Sequence, residues 1–190
     1  MESCFYLVIN ILLNAKSSDH ILFLKNFSNL MKKLIKGGGT SLKDMSDFTV
    51  IQLLKAATSL ILSNENNDRN LMESILSFVE LSLERDNDMI KIECTRMISL
   101  MDNVDNSSMK PFIKEMIEIL EWSEDSIAQY EALKVLEYIM RNQYRLSLFT
   151  NHNVFNNLLG SNNKMVVSLV ITILIRIVKE ENKKSFSIKF

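Results

Sequence analysis

The chain has 190 residues, of which 47% are apolar, 24% charged, four glycine and one proline, a balance that favours a helical globular protein over a β-rich fold. A net charge of −1 and a pI near 6.2 leave no basic field of the kind nucleic-acid binding needs. The only two cysteines, Cys4 and Cys94, are too few for a secreted disulfide scaffold and point to a reducing compartment.

Apolar runs and the breaks between them predict about nine helices. The first covers 3–14; its apolar start resembles a signal peptide, but Glu2 stands where a base is expected and Asn10 interrupts the run. The second covers about 19–36 with Ile21, Leu22, Leu24, Phe27, Leu30, Met31 and Leu34 close to a helical stripe, and Gly37, Gly38 and Gly39 stop it. The third runs over 47–63, capped by Ser46 or Asp47. After the polar loop 64–69, helices follow at about 70–83, 88–101, 109–122, 125–141 and 154–159. Pro111 is expected in the first turn of its helix, where a missing backbone donor costs least. The last helix fills about 164–179, and a tail, 181–190, is expected to fray.

Three of these helices share one pattern at one spacing. Met89, Ile127 and Met165 start their apolar faces 38 residues apart. At the same offset come Cys94, Ala132 and Val170, then the pairs Met97/Ile98, Val135/Leu136 and Ile173/Leu174, then Met101, Ile139 and Ile177. Ile51 and Ala56 make a weaker fourth copy. A fixed period with helices as the unit predicts an all-α, Armadillo/HEAT-like α-solenoid. It is expected as one domain over 1–180, with weak first repeats in 1–63 and clear ones in 64–180. Cys94 stands where the other copies have Ala132 and Val170, so it is expected to be a small buried hydrophobe.

The final repeat helix is apolar on nearly every side, whereas the last repeat of a solenoid should turn a polar face outward. It therefore reads as uncapped, to be covered by more of a longer parent or by another protein. The isolated chain is expected to aggregate until that face is covered.

No set of residues converges on catalysis, on a metal or on a cofactor. His20 and His152 lie far apart in the chain and read as polar residues at helix starts. The glycines at 37–39 lack the Gly-Lys-Ser/Thr ending of a phosphate loop and read as a turn. The patch Met31-Lys-Lys-Leu-Ile-Lys36 reads as a solvated last helical turn, with a membrane-surface contact as the alternative, although stable attachment usually needs more basic residues or a lipid anchor. Glu115, Glu118, Glu121, Glu124 and Asp125 surround Trp122; an exposed Trp there is a candidate partner anchor. Ile171 and Ile175 on the last helix are the other candidate contacts. Glu93 and Glu131 share one repeat position and are expected to hold neighbouring loops.

The repeat helices resemble one family. Met89-Ile-Lys-Ile-Glu-Cys-Thr-Arg-Met-Ile98 is similar to the "VxYEAxxxI" helix of large subunits of the coatomer and clathrin-adaptor complexes. Gln129-Tyr-Glu-Ala-Leu-Lys-Val-Leu136 resembles the next helix of the coatomer gamma subunit, "RYAAVRTL". The stretch 156–174 resembles that subunit's "LENLxxDxNxxIxxLAITxLL", and the three follow in the same order with little or no gap. Such subunits are several times longer and end in an appendage domain, and Cys94, Ser168 and the Asn/Lys-rich loops mark divergence from them.

The resemblance implies a non-enzymatic, cytoplasmic scaffold for vesicle-coat assembly and ER–Golgi transport. Its implied partners are a coat small subunit and an Arf-type GTPase, with peripheral attachment to Golgi or vesicle membranes only through the coat. The alternative is an unrelated Armadillo/HEAT-like interaction module, an adaptor or assembly chaperone.

Overall fold

The computed structural model describes residues 29–30, 32–33, 42–63, 69–101, 104, 106–143 and 153–187. Among them there is no strand. A short 3-10 helix, Leu42–Asp44, precedes seven α-helices: α1 Asp47–Ser63, α2 Arg69–Leu83, α3 Asp88–Ser99, α4 Asn106–Trp122, α5 Ser126–Gln143, α6 Asn153–Leu158 and α7 Lys164–Ser187. The two helices expected ahead of the triple glycine lie outside the described residues, apart from 29, 30, 32 and 33, which are helical. The glycines themselves, Cys4, His20, His152 and most of the Lys-rich patch also lie outside them.

The chain divides into two compact units, Met1–Asp102 and Asn103–Phe190. In the first, α1 packs on α3, and α2 packs against both. In the second, α5 packs on α4 and on α7, and α6 lies against α7 and α4. Within each unit, then, one helix of the 38-residue series packs on the next, which is the stacking of an Armadillo/HEAT-like α-solenoid.

The common register holds in three dimensions. Ala56, Cys94, Ala132 and Val170 are all buried. So are Met97, Val135 and Ile173 one turn later, and Met101, Ile139 and Ile177 after them. Each fully buried large aliphatic side chain contributes roughly 1.5–3 kcal/mol relative to exposure, so this repeated stripe contributes to the cohesion of each unit.

The starts of the apolar faces need correction. Ile127 and Met165 are exposed and Met89 is half-buried, whereas Ile90, Ala128 and Val166 are buried. The reason is helical geometry. At 3.6 residues per turn, Ile127 lies about 140° around the helix from Ala132, while Ala128, four residues before it, lies about 40° away. The buried stripe therefore begins one residue later than expected.

Three boundaries also differ. Helix α3 ends at Ser99, where the N–H groups of Leu100 and Met101 bond back to the carbonyls of Met97 and Ile98 in a tighter final turn. Helix α4 begins at Asn106, so Pro111 falls in its second turn rather than its first. The backbone bond that Pro111 cannot donate would run to Ser107, and both residues are exposed, so water can solvate the carbonyl. Helix α7 continues to Ser187, through most of the stretch expected to fray.

Candidate partner-binding surface

The starts of the repeat helices are held by side chains at the same 38-residue spacing. Asn87 Oδ1 accepts from the Ile90 N–H at 3.2 Å, Asp125 Oδ1 from the Ile127 N–H at 2.8 Å, and Asn163 Oδ1 from the Met165 N–H at 3.0 Å. Each satisfies one of the amide donors that a helix N-terminus leaves open. In the first unit Asn87 does more. Its Nδ2 donates to Asp47 Oδ2 at 2.9 Å, and Arg85 ion-pairs with the other Asp47 oxygen. The Arg85 guanidinium also donates to the carbonyls of Leu42 at 2.6 Å and Met45 at 2.8 Å. One arginine thus ties the turn ahead of α3 to the start of α1.

Glu93 and Glu131 ion-pair within their own helices, Glu93 with Arg96 at 3.1 Å and Glu131 with Lys134 at 3.0 Å. In the third copy Leu169 replaces them. A contact between packed helices comes from Glu137 of α5, which takes both Arg141 at 2.9 Å and Arg176 of α7 at 3.1 Å. On α4, the hydrogen bond to Glu118 raises the pKa of the exposed Lys114.

Cys94 is buried, as its repeat position predicts. Burial, and secondarily the Glu93 carboxylate, push its thiol pKa well up, so it stays protonated and unreactive. Among the described residues no group of three or more His, Cys, Asp or Glu side chains can hold a metal, and no helix is long and apolar enough to cross a membrane.

The candidate contacts are on the surface. Trp122, the last residue of α4, is 80% exposed, with Glu121, Glu124 and Asp125 exposed around it. Ile171 and Ile175 are 45% and 50% exposed and lie one turn apart on α7. The structure extends this set with Met165 and Val178 on α7 and Ile127 at the start of α5. Counting 100° per residue from the Cys94 position would have found all three, since each lies away from the buried stripe.

A family model for the adaptin N terminal region matches residues 2–186. The chain belongs to the adaptin N-terminal family. No curated protein and no solved structure matches it. Adaptin N-terminal regions are helical-repeat scaffolds of vesicle-coat large subunits, which bind protein partners and act as cytosolic, peripheral membrane components. This favours the coat reading over an unrelated Armadillo/HEAT module, and it fits a surface whose distinctive residues are exposed hydrophobics.

Proposed function

We propose that the chain is the trunk of a coatomer gamma-type large subunit, a non-enzymatic scaffold that assembles vesicle coats for ER–Golgi transport. Its partners are a coat small subunit and an Arf-type GTPase, and it reaches Golgi or vesicle membranes only through the coat. Trp122, Ile171 and Ile175 are its partner contacts.

The observation that carries this reading is the order of three matched stretches, 89–98, 129–136 and 156–174, on successive helices of the repeat series. Each motif alone is one that many helical repeats could produce; their shared order and spacing narrow the choice within the adaptin family. The exposure of Trp122 and of the outer α7 face supports a role in protein binding, because Trp is enriched among the few residues that carry most interface energy and exposed apolar patches mark interaction sites.

The test is binding by the purified chain to recombinant small subunits of the coatomer and of the clathrin adaptors, with and without a GTP-loaded Arf-type GTPase. The proposal expects preference for the coatomer small subunit and weakening by Trp122→Ala or by Ile171→Ser with Ile175→Ser. Preference for a clathrin-adaptor small subunit would move the chain to another branch of its family. Binding to neither would reject the assignment.

A further inference from the structure

Trp122 holds a position where the repeat needs no large side chain. It ends α4, and the residues 38 before and 38 after it are Glu84 and Gly160, both exposed. Trp122 itself is 80% exposed although the following helices, α6 and α7, are packed in the same unit. Stacking of the next repeat therefore leaves this turn uncovered. Ile127, 65% exposed, lies on the other side of the turn at the start of α5.

The turn between them is fastened by its own side chains. Ser123 Oγ accepts from the Asp125 N–H at 3.3 Å, and Asp125 Oδ1 accepts from the Ile127 N–H at 2.8 Å. Gln129 Nε2 reaches back to donate to the Ser123 carbonyl at 2.9 Å. A backbone already held in place lowers the ordering cost of a contact made on it.

Charge sets the occupant. Between Lys114 and Lys134 the sequence has Glu115, Glu118, Glu121, Glu124, Asp125 and Glu131 and no basic residue. Glu118 pairs with Lys114 and Glu131 with Lys134, towards the ends of that stretch. Glu121, Glu124 and Asp125 are exposed beside Trp122. The equivalent turns differ: Arg85 and Lys91 lie among the acids of one, and the other has Lys164 and no acid. An acidic corner of this kind repels a phosphate backbone or an anionic lipid surface. It attracts basic side chains, and the face of an indole is itself a site for a guanidinium or ammonium group.

We infer that the α4–α5 turn binds a basic segment of a partner protein, a short stretch with Arg or Lys on either side of an apolar residue. The apolar side chain packs on Trp122 and Ile127, one cation lies over the indole, and another meets the carboxylates beside it. This rests on Trp122 being a partner contact, as proposed above, and not on the coatomer assignment.

Trp122 is the only tryptophan, so indole fluorescence of the full chain reports this turn alone. The probes are the peptide Arg-Lys-Leu-Phe-Lys-Arg and its acidic counterpart Glu-Asp-Leu-Phe-Asp-Glu. The basic peptide should shift the emission to the blue in a saturable way, and the acidic one should not. Glu121→Gln with Glu124→Gln should weaken binding about threefold to tenfold, the range expected for two exposed ion pairs. That variant should keep the parent melting curve, since both side chains are exposed. Replacing every Arg and Lys of the peptide by Gln should abolish the shift with the chain itself unaltered. No saturable shift with the basic peptide, or equal shifts with the basic, acidic and glutamine peptides, would overturn the inference. So would unchanged affinity in the double variant. The small-subunit assay judges Trp122 separately: weakening there by Trp122→Ala, with no shift by the basic peptide, would keep the contact and reject the basic segment.

Discussion

Helices α5 and α7 occupy the same place in the repeat and bury the same inward stripe, yet they differ on the opposite side. On α5 that side holds Leu133, Met140 and Glu137, the first two buried and the third in contact with Arg176. On α7 it holds Ile171, Val178 and Ile175, all exposed. Two of the three positions are apolar in both helices, and Ile175 stands where α5 has Glu137, so the face is no more polar where the structure leaves it exposed, against what solvation alone would select. An exposed apolar face of this kind marks an interaction surface or an aggregation hazard. The comparison therefore separates two environments within one register: the inward stripe is buried in the unit, and the outward stripe is exposed.

The inward stripe should show the largest effects. Ala132→Glu and Val170→Glu each place a carboxylate at a fully buried position. Each should lower stability by more than about 3 kcal/mol, because a buried charge without a partner is costly. Chemical denaturation of the two variants checks this. Equal, large losses are expected from both helices, and an unchanged midpoint in either would break the equivalence.

The outward stripe should split the pair. Leu133→Ala removes a buried side chain and should cost about 2–4 kcal/mol. Ile171→Ala, at the equivalent exposed position, should change stability by less than about 0.5 kcal/mol. Similar losses at both positions would show that something covers α7 in the free chain.

Much of this arrangement is legible in the sequence because it is periodic. Cys94, Ala132 and Val170 mark the buried register through their size and spacing alone, and α1 lies where its apolar run and cap predict. The family was legible too, since three matched helices in order carry more than any one motif. Position around the helix was less so. Ile127 and Met165 are as apolar as core residues, and only their angle from the small residue five positions later reveals that they face out. The Arg85–Asp47–Asn87 clasp was hidden for a different reason: charged residues beside turns are common, and nothing local distinguishes one that meets two carbonyls from one that meets water. Two helix ends differ from the expected ones because polarity is a weak stop signal. Asn106, Ser107 and Ser108 start α4 although their composition suits a turn, and the charged residues after Val178 continue α7.

The most direct test of the register is the rate of thiol labelling in a Cys4→Ser background, where buried Cys94 serves as the slow internal reference. Leu133→Cys and Ile171→Cys place a thiol at the same repeat position on α5 and on α7. The Ile171→Cys thiol should react with an aromatic disulfide reagent at nearly the rate of a free cysteine, and the Leu133→Cys thiol should be protected like Cys94, because reaction then waits on opening of the fold. Equal rates at the two positions, fast or slow, would contradict the account.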